Sequence, residues 1–449
     1  MSALDSEQDK QECPGPANES LAAARNLEGS AAQAALWRNV ALFLLSGSLA
    51  SVAWATASEQ TVVAVLLQQM GFAKVVVGLP LAIGIVGFGL PQLPAAYWAL
   101  RASRKRGWLV GLQVATSAPA LVAALGAMLV APDRPWASAL LLFAPLMLGS
   151  LASGGARPLR TELDGRLIPQ TTRGRYYGGQ MVVRGVFGIL GAGLAGLLLA
   201  EIAGRGGFAT CFLAAALLGM AAAIPLKYLL EPRLEPEAQT EGLSTYTRNL
   251  WGRVTGDLNF RNFLWGRALV GLGYMSAGFY AVFALEKFHL PARSAPLFMI
   301  PSLLGQGIGS VIWGLAGDKK GHRLVQVALC VQWMLATVTA VLAPNAWVFA
   351  VAFFLSGMAL AADYVSTNNF MIEAAPRAEM MGYTSLANSL IAPIFGLSTV
   401  LGGAIADLTS YHFLFWLSLG VYIVALWMMA TRVKEPRLNG PASGRESGQ

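Results

Sequence analysis

The sequence predicts an all-α polytopic membrane protein, with twelve transmembrane helices in two pseudo-symmetric six-helix halves. Three observations carry this. Hydrophobic residues make up 55% of the chain and charged residues 12%, against roughly 25% charged in soluble domains, and the mean hydropathy is +0.54. Its 449 residues accommodate about twelve apolar runs of about 20 residues, the length that crosses a bilayer core as a helix. The third observation is internal repetition between the two halves.

Taken in order, the chain opens with a polar, mixed-charge stretch, residues 1–33, read as a disordered cytoplasmic tail rather than a cleavable signal peptide. Its Asn18-Glu19-Ser20 matches a glycosylation acceptor, but an inward-facing tail never meets that machinery. The N-terminal half, 34–230, is expected to hold spans at 37–66, 75–99, 108–131, 136–156, 177–203 and 207–230. A polar segment with Pro232 and Pro236, residues 231–261, reads as the cytoplasmic linker. The C-terminal half, 262–434, is expected to hold spans at 262–286, 295–316, 324–343, 346–371, 383–407 and 411–431, before a disordered tail at 435–449.

Basic residues set the orientation. With both termini inside, 26 of the 32 Lys and Arg fall in cytoplasmic segments, five fall outside (Lys74, Arg134, Arg205, Lys287, Arg293), and Arg184 lies within a span. That asymmetry accounts for the net charge of +8 without a nucleic-acid partner. Cys13, Cys211 and Cys330 are too scattered for a disulfide framework or a metal site. His289, His322 and His412 all fall at loops or span ends, away from any buried proton relay.

The turn between the eighth and ninth spans reads Gly314-Leu315-Ala316-Gly317-Asp318-Lys319-Lys320-Gly321-His322-Arg323. Gly314 and Gly321 permit close approach and chain reversal, and Asp318 stays ionised beside Lys319, Lys320 and Arg323. The pattern Gly314, Asp318, Lys319, Gly321, Arg323 resembles the loop signature of the major facilitator superfamily; His322 stands where that signature has a base. The fourth-to-fifth segment Ile168-Pro169-Gln170-Thr171-Thr172-Arg173-Gly174 is similar to the Pro-to-Arg-Gly loop of the same family. It repeats after the tenth span as Glu373, Pro376, Arg377 and Gly382. Leu90-Pro91-Gln92-Leu93-Pro94, together with Glu435-Pro436-Arg437, resembles a bacterial branch whose substrates are not established. The resemblance implies two six-helix halves that rock about a central cavity lined by the first, fourth, seventh and tenth helices. One departure stands out: Arg101-Ala102-Ser103-Arg104-Lys105-Arg106-Gly107 after the second span has the bases but lacks the acid of the signature. The resemblance gives that acid a latching role between the halves, so such a latch is in doubt here.

An ionisable side chain in hydrocarbon costs several kcal/mol unless paired or hydrated, which makes it a functional candidate. Asp363 lies ten residues inside Glu373 and Arg184 eight residues past Tyr176, about 15 and about 12 Å deep. In the family the fifth and tenth helices face each other, so Arg184 and Asp363 are expected to pair when the inner gate is shut and to part when it opens; alternatively Arg184 snorkels and Asp363 caps a helix. Glu59, in the outer half of the first span, is a candidate proton carrier because burial favours a neutral carboxyl, or else a hydrated interfacial acid. Ser51, Trp54, Tyr274, Tyr280, Gln306 and Asn388 are polar candidates for the substrate cavity. Gly188, Gly191, Gly193 and Gly196 are read as helix-packing positions, and the GxGxxG they spell from Gly191 lacks a preceding strand, which excludes a dinucleotide site.

These readings converge on secondary active transport of a small organic solute across a bacterial inner membrane by alternating access. Protons are the expected coupling ion and export the preferred direction. No cofactor, metal or enzymatic activity is expected. If Arg184 rather than Asp363 faces the cavity, an anionic substrate is favoured. The alternative is a carrier-like protein that no longer transports and assists assembly of a membrane complex, for which a cavity almost without polar groups would speak.

Overall fold

A computed structural model of the chain describes residues 16–102, 104–129, 133, 134, 137, 139–168, 170–231, 242–374 and 380–435. Among them, twelve helical segments are long and apolar enough to cross a membrane. The first half contributes Gln33–Gln69, Lys74–Ala99, Arg106–Leu129, Leu140–Asp164, Gly179–Glu201 and Arg205–Lys227. The second contributes Leu258–Phe288, Ala292–Lys320, His322–Leu342, Ala346–Met371, Gly382–Leu408 and Tyr411–Thr431. No strand occurs among the described residues, and the expected all-α class holds.

The bounds depart from the sequence reading where charge misleads hydropathy. The fourth span was expected to end at 156, but its helix runs to Leu167. Backbone hydrogen bonding does not stop at a charged residue when that residue finds a partner. Arg157 donates to the Tyr364 hydroxyl at 3.1 Å, Glu162 pairs with Lys105, and Asp164 accepts from the Tyr176 hydroxyl at 2.7 Å. The charged ten-residue turn is likewise shorter than expected. Helix continues through Lys320 and resumes at His322, so the reversal rests on Gly321 alone, at φ 89°. A side chain would strain that left-handed conformation. The first helix starts at Pro16, inside the expected disordered tail, and a helix at Leu243–Gly256 occupies part of the expected linker. Residues 1–15, 232–241 and 436–449, with the tail and linker expectations that rest on them, lie outside the described residues.

The two ends of the bundle differ in chemistry. At the end holding the Gly321 turn, here the loop end, each half repeats one arrangement. Glu231, just past the sixth span, accepts from the backbone N–H of Lys105 and Arg106 at 2.8 and 2.9 Å. Glu435, just past the twelfth, accepts from the backbone N–H of Arg323 at 2.8 Å. In both halves a carboxylate therefore satisfies the first orphan donors of the third or ninth helix and complements its dipole. Glu162 with Lys105 and Glu373 with His322 (3.5 Å) complete the correspondence.

Close helix packing holds the halves. The second span lies against the eleventh, and the fifth wedges between the first and eighth. A β-carbon on Gly191 would stand 2.4 Å from the Val52 carbonyl oxygen, and one on Gly188 2.9 Å from Leu303 Cδ1. The expected packing role thus fits Gly188, Gly191 and Gly196. It does not fit Gly193, where an added side chain would meet open space. Accordingly, Gly191→Val should destabilise the purified protein by about 1–3 kcal/mol through overpacking, while Gly193→Val should leave its thermal unfolding midpoint almost unchanged. Differential scanning fluorimetry in detergent checks the pair.

Candidate functional site at the broken first and seventh spans

Among the interrupted spans, the first and seventh hold corresponding positions in the two halves. In the first, α-helix ends at Thr56, Ser58 takes an extended ψ of 132°, and the chain continues as a π-helical turn, Glu59–Val63, and a short helix, Ala64–Gln69. In the seventh, Leu258–Gly273 tightens into a 3-10 segment, Tyr274–Phe279, before Tyr280–Phe288. Irregular backbone at membrane depth survives only where protein or water supplies its hydrogen bonds, so paired interruptions point to a site between the halves. The two breaks touch: Gln60 Nε2 donates to the Tyr274 hydroxyl at 2.8 Å.

The ionisable candidates surround this contact. Glu59 turns its carboxylate toward the second span, where a β-carbon on Gly84 would lie 3.5 Å from Oε1. No ion pair to it is found among the described residues. Asp363 is bound bidentately by Arg267, Nη1 to Oδ1 and Nη2 to Oδ2 at 3.2 Å, and accepts from Thr367 Oγ1 at 2.6 Å. Arg267 is buried and its guanidinium lies over the Phe395 ring. Arg184, the expected partner of Asp363 when the inner gate is shut, does not pair with it in this loop-end-open arrangement; both members of the observed pair belong to the second half. The sequence reading counted Arg267 with the cytoplasmic bases. Its helix starts at Leu258 rather than at the expected 262, which puts Arg267 nine residues and about 13 Å along it.

Arg184 has a different setting. Its guanidinium carbon lies 5.4 Å from the centre of the Trp54 ring, and it sits within Coulombic range of Tyr364 and Arg157. No carboxylate pairs with it among the described residues. Arg157, also missed as a site residue, reaches across to the second half, with its guanidinium over the Tyr364 ring at 5.4 Å and a hydrogen bond to the hydroxyl.

The uncharged candidates divide. Trp54 is 39% exposed beside Arg184, and Ser51 and Gln306 are partly exposed. Tyr274 is buried in the break contact and edge-on to Trp333. Tyr280 is 1% exposed, bonded to Thr337 Oγ1 at 3.0 Å and enclosed by Phe349, Phe353 and Phe415. It packs the core and presents no face to a solute. Asn388 donates to Gln92 Oε1 at 2.9 Å, tying the eleventh span to the second rather than lining the centre. In the loop motif, Asp318 and Lys319 are exposed, and an added side chain at Gly314 would meet open space. Arg323 donates to the Ala430 carbonyl, which fixes the ninth helix to the twelfth.

The far end of the bundle is shut. Gln68 donates to Glu286 at 2.7 Å, Asp407 accepts from the backbone N–H of Lys74 and Val75 at 2.9 Å each, and Gly196 meets Leu297. Toward the loop end the fifth and eighth spans part. Gly188 and Leu303 still touch, but one turn further, at Gly185 and Gly307, an added side chain would meet open space. Arg184 lies four residues from Gly188, on the face that carries buried Gly188, Gly191 and Ala195, yet it is exposed. Its exposure is therefore to a fissure between the halves. Val182, Val186 and Leu190, on the outer face, are exposed for the ordinary reason that lipid would cover them.

Comparison with known proteins agrees with this architecture. A family model described as the Major Facilitator Superfamily matches residues 39–307 and 286–448. A point variant of nucleoside transporter NupG superposes with a TM-score of 0.72 at 12% identity, covering 88% of this chain and 100% of that one. A D-xylose-proton symporter gives 0.67 at 14% identity, covering 89% and 98%. The fucose:proton symporter FucP of E. coli gives 0.58 at 14% identity, covering 88% and 98%. At these identities the likeness is one of fold.

The Arg267–Asp363 pair generates a stability prediction. Asp363→Asn strands a buried guanidinium and should cost roughly 3–5 kcal/mol, whereas the double replacement Arg267→Met with Asp363→Leu should recover most of that loss. Thermal unfolding of the three variants in detergent measures both effects.

Proposed function

The chain belongs to the major facilitator superfamily, and from that membership we propose that this integral membrane protein is a secondary active transporter. It moves a small organic solute by alternating access, with proton coupling and export as its working direction. The observation that carries the reading is the contact of the two broken spans, Gln60 to Tyr274, at the interface of the halves. A solute bound there touches both halves at once, so its binding energy bears on how they rock.

The groups around that contact support separate roles. Glu59, set apart from any described cation, is the proton carrier. The Arg267–Asp363 pair is self-neutralised and holds the seventh and tenth spans together. The distribution of bases supports a loop end on the cytoplasmic side of a bacterial inner membrane, with both termini inside; on that orientation the fissure beside Arg184 opens to the cytoplasm. An assembly factor without transport would need no polar centre, and the described centre holds Glu59, Arg157, Arg184, Arg267 and Asp363.

Proteoliposomes enclosing a pH-sensitive dye test the coupling. Within a panel of metabolites, at least one should drive proton movement through the wild-type protein. Glu59→Gln should abolish that movement while solute exchange persists. Undiminished proton movement in Glu59→Gln would remove its role, and an absence of flux for every solute would favour the assembly reading.

A further inference from the structure

We propose that a groove at the loop end of the first half holds an anionic phospholipid, with its phosphate on Arg104 and Arg106 and an acyl chain laid along Gly107 and Gly111. Such a site serves the first half whatever solute the protein carries.

The groove has a volume of about 1030 Å³ and lies where three elements meet: the first helix at Ala35, the start of the third span from Arg104 to Leu112, and the exit of the sixth from Leu229 to Glu231. Its frame is fixed. Asn39 and Leu230 exchange hydrogen bonds at 3.1 and 2.9 Å, and Arg106 Nη1 donates to the Leu229 carbonyl at 2.9 Å. Glu231 is engaged by the backbone N–H of Lys105 and Arg106, and Lys105 is buried against Glu162. The rim therefore presents the exposed guanidinium of Arg104 and the part of Arg106 that Leu229 does not hold. No side-chain ion pair to either arginine occurs among the described residues. Arg38, one turn on from Ala35, donates to the Tyr228 carbonyl at 3.2 Å and, with Lys227, adds exposed positive charge on the flanking elements.

Further along the third span the wall turns apolar. Gly107 and Gly111 are exposed on one helix face, and a β-carbon on either would meet open space, so bare backbone lines the groove there. Leu112 and Leu230 flank this strip, and Trp108, 67% exposed, stands beside it. Trp37 and Tyr228 on the flanking elements are exposed as well, and such aromatics belong at the boundary between lipid and water. A free phosphate would use the rim and leave the apolar strip uncovered. A zwitterionic lipid brings a cation that the arginines repel. An anionic phospholipid satisfies both parts, because guanidinium groups take phosphate oxygens through paired hydrogen bonds and basic recesses between membrane helices suit such headgroups.

The second half shows that the groove does not come with the frame. There Asn259 and Lys434 exchange the matching hydrogen bonds at 3.0 and 2.7 Å, and Glu435 and Arg323 repeat the roles of Glu231 and Arg106. Yet Gly321 stands where the first half has Arg104, and an exposed Leu324 where it has Gly107. The frame recurs, while the base and the open strip belong to the first half alone.

Native mass spectrometry and the thermal unfolding midpoint of the purified full-length protein in detergent test the site, with phosphatidylglycerol, phosphatidylcholine or glycerol 3-phosphate added in equal molar amounts. Phosphatidylglycerol should be retained saturably and raise the midpoint, with phosphatidylcholine about tenfold weaker, the scale of a lost charge-assisted hydrogen bond. Arg104→Gln should weaken phosphatidylglycerol retention to a similar extent. Gly107→Leu, which copies the second half and meets no neighbour, should lose the lipid with every charge in place. Both variants should keep the lipid-free midpoint and gel-filtration profile of wild type. Phosphatidylcholine bound equally well, no saturable retention of phosphatidylglycerol, or undiminished retention in either variant would overturn the site. Glycerol 3-phosphate giving the full effect would assign the rim to a soluble anion and overturn the lipid. If one variant misfolds, the other and the wild-type lipid comparison decide.

Discussion

A bilayer core offers no partner to a stranded backbone group or a lone charge, and that constraint orders this molecule. Most of the described span residues obey it in α-helix, while the first and seventh spans break where the halves meet. The two breaks meet through a side-chain hydrogen bond, Gln60 to Tyr274. The same logic places the charges: Arg267 with Asp363, Arg157 on Tyr364, and Arg184 exposed at the fissure between the halves.

The ends are built for the opposite purpose. Glu231 and Glu435 tie the start of the third and ninth helices to the exits of the sixth and twelfth, so each half is a closed unit within itself. Between the halves the loop end is joined by neutral contacts, Asn388 to Gln92 and Ser389 to the Gly89 carbonyl at 2.9 Å. At the far end, by contrast, Asp407 caps the second span from the other half. Intra-half ties by carboxylates and lighter inter-half ties by amides suit rigid bodies that rock. The acid missing from the loop after the second span fits a loop end held without a charged latch.

Much of this was legible from local pattern. The spans follow from hydropathy, and Gly321 follows from the need for a reversal between two apolar runs. Asp363 stood out because an acid inside an apolar run has few explanations. Its partner did not, because Arg267 lies only five residues past the expected start of its span and reads as a surface base. Ninety-six residues of sequence separate the pair, and only tertiary packing joins them. The duplicated Glu231-Pro232-Arg233 and Glu435-Pro436-Arg437 were available to self-comparison and mark the matching helix exits. The breaks were not available. Ala57-Ser58-Glu59 holds neither Gly nor Pro, the usual punctuation. Tyr280 was misassigned for a related reason: six residues of 3-10 helix, at 120° rather than 100° per residue, rotate everything beyond them by about 120°. Tyr280 accordingly points into the cluster around Phe349 and Phe415.

The proposed transport requires that the two ends of the bundle open in opposition about the contact of the broken spans. Spin-label distances measure it directly in a variant lacking the native cysteines, with one pair at the exposed far-end positions Gln69 and His289 and another at the exposed loop-end positions Arg104 and Lys320. The distance distributions should be anticorrelated, so that conditions that lengthen the loop-end pair shorten the far-end pair. Two distances that change together, or that hold one fixed value whatever the pH or solute, would contradict it.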